Sequence, residues 1–156
     1  MRRTVLLAIS VVTVLGLGVA AAVATPPKDA TRVDIARGVM TTGGPVEIEP
    51  GRETTVHRIT VAPGGSTGWH SHQAGGVFIV MSGTMENYGL DGPPCEPVVV
   101  EAGDAYFVPV HPHHAHLALN KGSEPLEVTA VYFNVPEGEP TRLDAEAPAE
   151  CPADLR

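Results

Sequence analysis

Short stretches of alternating apolar and polar residues, each broken by glycine or proline, fill the middle of this chain. From Thr54 to Val61, His57, Ile59 and Val61 fall on one parity, the two-residue repeat of an extended strand. Pro63-Gly64-Gly65 closes that strand. Val77 to Met81 is apolar on both parities, the pattern of a strand covered on both faces; a sandwich accounts for one face and a homodimer contact for the other. Thr84 to Leu90 then pairs back through the Ser82-Gly83 turn. Pro97 to Glu101, Tyr106 to Val110, Ala115 to Leu119 and Leu126 to Val135 read as further strands. Upstream, Arg32 to Met40 alternates loosely as an edge strand, and Val46 to Ile48 begins another extended piece after Gly43-Gly44-Pro45. No window shows sustained helical spacing with caps. Many short strands with regular turns indicate an all-β sandwich or small barrel, with a mouth that admits a ligand.

The two ends differ from this middle. Arg2 and Arg3 precede an apolar run from Val5 to Val19, and Ala22-Val23-Ala24 forms a small-x-small site, so residues 1–24 read as a secretory signal peptide. The chain is therefore expected to be secreted or held in the cell envelope, with no stable membrane association after cleavage. Residues 25–45 read as a linker and edge strand, 46–135 as the barrel, and 136–156 as a tail rich in Pro, Glu and Ala. The tail has too few large apolar residues for a core of its own and is expected to lie on the surface. Cys95 and Cys151 are the only cysteines; in an oxidising compartment they are expected to pair and pin that tail.

Charge narrows the partners. Eighteen acidic residues face 10 basic ones, and loss of Arg2 and Arg3 with the leader moves the net charge from −8 to about −10. Such a surface neutralises neither nucleic acid nor anionic lipid, which leaves a small-molecule ligand or substrate. No phosphate loop or nucleophile elbow is present.

Histidines carry the chemistry. In Pro63 to Gly83, PGGSTGWHSHQAGGVFIVMSG, His70 and His72 stand one residue apart, so in a strand they share a face and form a chelating pair. Trp69 points the other way and is expected to pack under the sheet. Downstream, Gly103 to His116 adds a second cluster, His111, His113, His114 and His116. With these two stretches the chain resembles the cupin superfamily. Gly64, His70, His72 and Gly83 fall on its first motif, G-x5-H-x-H-x(3,4)-E-x6-G, with Gly76 at the glutamate position. Gly103 and Pro109 fall on its second, G-x5-P-x-G-x2-H-x3-N, with His111 in place of the glycine. Counting from Pro109 reaches His114; counting back from Asn120 reaches His116, which keeps the end of the motif intact.

The resemblance implies a double-stranded β-helix with a metal site inside it. His70, His72 and His116 would be ligands, with His114 the substitute if the turn is not extended. Gly76 supplies no fourth ligand, so water, Gln73 or His57 would fill that position. A neutral all-imidazole set favours iron, nickel, copper or zinc over manganese. His111 and His113 are expected at the cavity rim; Tyr106 and Phe78 either line the cavity or are core, as most strand aromatics are. Two functions fit this reading: a small exported metalloenzyme, an oxygenase or isomerase, and a non-catalytic envelope protein that binds a metal or small ligand.

Overall fold

The computed structural model describes residues 31–90, 92–110 and 115–155. The leader and His111, His113 and His114 lie outside them. The principal compact unit is Asp34–Arg156. Among the described residues it contains ten strands, one 3₁₀ turn at Ala153–Leu155 and no α-helix. The strands are β1 (Val39–Met40), β2 (Glu53–Val61), β3 (His70–His72), β4 (Gly76–Ser82), β5 (Thr84–Tyr88), β6 (Pro97–Glu101), β7 (Asp104–Val108), β8 (Leu117–Leu119), β9 (Leu126–Val135) and β10 (Arg142–Asp144).

One sheet has the order β1-β7-β4-β9-β2. Opposite it lie a three-stranded sheet, β6-β5-β8, and a two-stranded one, β10-β3. Isolated bridges from Ser66 to Leu119 and from His70 to His116 join these two smaller sheets into one wall. The apolar positions of the two walls interlock: Phe78 and Val80 from β4, Met85 from β5, Val100 from β6, Tyr106 and Val108 from β7, and Val128 and Ala130 from β9. This is the double-stranded β-helix expected from the alternation and the motifs. At the tight β4–β5 corner Gly83 has φ 79°, and a Cβ there would lie 3.0 Å from the Leu126 Cα, so the position suits glycine alone.

Four differences from the sequence pattern have physical causes. The strand after Ser82-Gly83 does not pair back on β4: β4 bonds to β7 and β9 and β5 to β6 and β8, so the turn is a corner between two sheets. Only Val39–Met40 of the Arg32 to Met40 stretch pairs, in parallel with β7 at the sheet edge. Val46 to Ile48 forms no strand. It is held by one side chain, Asn134, whose amide donates to the Glu47 carbonyl (2.6 Å) and accepts from the Glu49 amide (2.8 Å). Finally, the tail is structural. β10 pairs antiparallel with β3, placing Arg142 opposite His72 and Asp144 opposite His70. Trp69, on the back of β3, donates its indole N–H to the Leu155 carbonyl and packs with Tyr88, Leu117, Cys151 and Leu155 in a second apolar cluster. The Cys95–Cys151 disulfide closes this layer, with a Cα–Cα distance of 5.3 Å.

The outer face of β4 is covered in part by the chain itself. Ile79 packs against the backbone at Gly38, and Phe107 of the neighbouring strand against Gly44.

Candidate metal centre

Strand register brings the histidines together. His70 and His116 are direct antiparallel partners, exchanging both backbone bonds: the His70 amide to the His116 carbonyl at 3.0 Å, and the His116 amide to the His70 carbonyl at 2.8 Å. Residues paired in this way project from the same face of the sheet. His72, two residues along β3, shares that face with His70. The three rings are buried, with centroids 4.9 Å apart for His70–His72, 4.3 Å for His70–His116 and 4.9 Å for His72–His116. One nitrogen from each lies within 4.8 Å of the other two. Among the described residues, this is the group of side chains close enough to hold a metal ion.

Backbone carbonyls set the ring tautomers. His70 Nδ1 lies 2.8 Å from the Gly68 carbonyl oxygen, and His72 Nδ1 lies 2.8 Å from that of Thr141. A carbonyl only accepts, so each Nδ1 carries the proton and each Nε2 keeps its lone pair for an ion. His72 Nε2 and His116 Nε2 stand 3.2 Å apart. Two nitrogens at about 2.1 Å from a common ion would be separated by about 3.0–3.4 Å, depending on the bond angle. The His72–His116 pair has the spacing of two ligands on a first-row divalent ion, and a nitrogen of His70 lies within 4.8 Å of both.

Burial pushes the His70 pKa down to about 4, against an opposing pull from its bond to Gly68. Burial also lowers His72, and its bond to Thr141 opposes that shift. Both rings are thus neutral, the form that binds metal, at physiological pH.

Gly76 occupies the position where a carboxylate would be expected. A Cβ there would lie 2.8 Å from the Val131 carbonyl oxygen, 3.0 Å from Phe78 Cε2 and 3.4 Å from Tyr132 Cδ1. Phe78 and Tyr132 also contact the His72 ring, at centroid distances of 5.8 and 5.1 Å. Aromatic carbon fills the carboxylate niche. Neither proposed substitute enters it. His57 is exposed on β2, with its ring against Tyr132 at 5.3 Å, and Gln73 turns its amide to the Pro140 carbonyl at 3.3 Å.

Beside the histidines lies a cavity of about 30 Å³. His70 and His116 form its polar end; Phe78, Tyr106, Tyr132, Met85 and Val128 form much of the apolar remainder, with Asn87 among them. Tyr106 and Phe78 line the cavity and also belong to the main apolar core. Burial raises the phenol pKa of Tyr106 and pushes that of Tyr132 up to about 12, so both stay protonated. Thr141 and Asn87 also belong to the site. Thr141 acts through its backbone, which no residue type reveals. Asn87 had a signal, as the one polar residue on the inward parity of β5, two positions from Met85.

The fold and the buried imidazoles define a double-stranded β-helix protein with a three-histidine centre. A family model described as the cupin domain matches residues 57–132, and the chain belongs to the cupin superfamily. Among solved structures, a cupin-like protein from Thermotoga maritima MSB8 is 25% identical, with a TM-score of 0.50 over 62% of this chain and 68% of that one. A protein with a double-stranded β-helix domain from Klebsiella pneumoniae subsp. pneumoniae MGH 78578 is 26% identical, with a TM-score of 0.48 over 64% of this chain and 79% of that one. A recombinant oxalate oxidase in complex with glycolate is 23% identical, with a TM-score of 0.49 over 58% of this chain. The match spans only 45% of the oxidase chain. No curated protein matches this sequence.

Proposed function

We propose that this is an exported cupin that holds a divalent transition ion on His70, His72 and His116 and presents it to a small oxygen-bearing molecule, as a metal-dependent enzyme. The observation that carries this reading is three buried imidazoles within 4.8 Å of one another, two of them with Nδ1 tied to backbone carbonyls. Without an ion, His72 Nε2 and His116 Nε2 share one ring-to-ring hydrogen bond at 3.2 Å, whereas an ion would engage all three imidazoles. When bound, the ion supplies Lewis-acid or redox chemistry at coordination positions the protein leaves open. Neutral imidazoles favour iron, nickel, copper or zinc over manganese.

The chain's own residues set the rest. Gly68 and Thr141 orient the ligand rings, and Phe78, Tyr106 and Tyr132 exclude bulk water. No carboxylate lines the cavity among the described residues. Isomerisation that needs a carboxylate base therefore fits less well than oxygenase chemistry centred on the ion. The aromatic filling at Gly76 favours a second reading, a binding protein that holds the ion or a ligand without turnover.

Export is supported by the Cys95–Cys151 disulfide and by the leader-like pattern of residues 1–24. Among the described residues, no helix is long and apolar enough to cross a membrane.

Elemental analysis of protein produced without a histidine tag and reconstituted with each metal tests the centre. About one equivalent of a transition ion is expected, with loss of nearly all of it in His70→Ala. Less than about a tenth of an equivalent with every metal would overturn the reading. Oxygen uptake by loaded protein with small hydroxy and keto acids separates turnover from simple binding.

A further inference from the structure

The cavity beside the histidines has a second polar element. Asn87 is 1% exposed, and among the described residues its Oδ1 has no hydrogen-bond partner. It lies on the inner face of β5 with Met85, in the wall of the cavity that His70 and His116 also line. Its amide interacts with the phenol of Tyr106, another wall residue. The Tyr106 hydroxyl in turn donates to the Met85 sulfur at 3.8 Å, its one acceptor among the described residues, and a thioether is a weak one. A strong acceptor and an under-used donor thus lie side by side in a largely apolar chamber. A buried acceptor left unpaired is destabilising, and proteins keep few of them. Leucine would fill nearly the same space without that cost.

We infer that Asn87 and Tyr106 form a recognition site for a hydroxyl group on the ligand. Asn87 Oδ1 accepts the hydroxyl proton, and Tyr106 donates to the same oxygen. An acceptor-only group such as a carboxylate oxygen would meet Asn87 Oδ1 lone pair to lone pair, so the end of the ligand held here is neutral and protic. The cavity of about 30 Å³ has room for a hydroxyl and the one or two carbons that carry it. The histidine end takes the ligand's other oxygen. The ligand class is therefore a short hydroxy acid or hydroxy ketone, and Asn87 discriminates it from the deoxy analogue. The position of the second oxygen rests on the metal reading; the hydroxyl site does not.

The test uses the full mature chain loaded with zinc, and calorimetric titration with glycolate and with acetate, which lacks the hydroxyl. Wild type should bind glycolate at least about tenfold more tightly than acetate, the penalty for leaving a buried polar group unpaired. Asn87→Leu should bring that ratio to about one while zinc stoichiometry stays at the wild-type value, and should raise the melting temperature of the metal-free protein. Tyr106→Phe should lower the ratio part of the way, and it keeps the inference testable if Asn87→Leu does not fold. Equal affinities in wild type, or an unchanged ratio in either variant, would overturn the inference. So would a melting temperature in Asn87→Leu no higher than wild type. If zinc does not bind at all, the metal reading fails separately, and the change in melting temperature still decides whether Asn87 is held in place for a ligand.

Discussion

Restoring the family glutamate as Gly76→Glu should destabilise this protein without improving its metal site. The new Cβ would meet the Val131 carbonyl oxygen at 2.8 Å, closer than such atoms approach, and that carbonyl belongs to a ladder in which Gly76 faces Tyr132 and Val77 faces Val131. It cannot swing aside as the tip of a flexible side chain would. The next neighbours, Phe78 Cε2 at 3.0 Å and Tyr132 Cδ1 at 3.4 Å, belong to rings already packed on His72. Overpacking of this kind costs about 1–3 kcal/mol. For a domain of this size that lowers the melting temperature by roughly 5–15 °C. Gly76→Ala separates bulk from charge: it should lose most of the same stability, since the clash begins at Cβ. Thermal unfolding of metal-free protein, followed by metal titration, is the assay. A Gly76→Glu protein that melts with wild type and binds the ion more tightly would refute the reasoning, because it would mean the aromatic niche opens freely to a carboxylate.

Two other outcomes follow from the same geometry. His70 and His72 have pKa values pushed below that of a free imidazole, so between about pH 6.5 and pH 4 the unfolded chain binds more protons than the folded one. Stability of the metal-free protein is then full above pH 6.5 and falls on acidification toward pH 4, which denaturant titrations at several pH values will show; a flat profile would contradict it. Reduction of Cys95–Cys151, or Cys151→Ser, removes a 56-residue cross-link worth about 4 kcal/mol in the chain-entropy view. Because Trp69 packs on Cys151 and bonds to Leu155, its fluorescence should shift to the red as the tail loosens, and an unchanged spectrum would argue against the packing.

How far the sequence reached is best seen strand by strand. β6 and β9 were legible to the residue, because a barrel strand with one dry face must alternate and its turns must contain glycine or proline. His70 and His72 were legible for the same reason, since spacing within one strand fixes a shared face. His116 was reachable only through the motif; its pairing with His70 is a register between segments more than 40 residues apart, which no local pattern encodes. β10 was invisible because Arg142-Leu143-Asp144 has no apolar face of its own: it is ordered by main-chain pairing to β3, and backbone bonds carry no residue signature.

The tail is part of the candidate site. The tail reads as surface filler, yet the Thr141 carbonyl is what holds the proton on His72 Nδ1, and β10 holds the outer edge of the strand that carries both His70 and His72. Two clamps keep the tail there, the Trp69 indole bond to Leu155 and the disulfide to Cys95, and both belong to one apolar cluster. The residue just before β3 anchors the tail, while His70 and His72 within β3 converge on His116. Because the contact with His72 is made by a main-chain carbonyl, no side-chain replacement at Thr141 removes it, and only displacement of the segment does. The candidate metal centre is thus assembled from three parts of the chain: two supply nitrogens, and the third supplies the oxygen that sets which nitrogen of His72 is free.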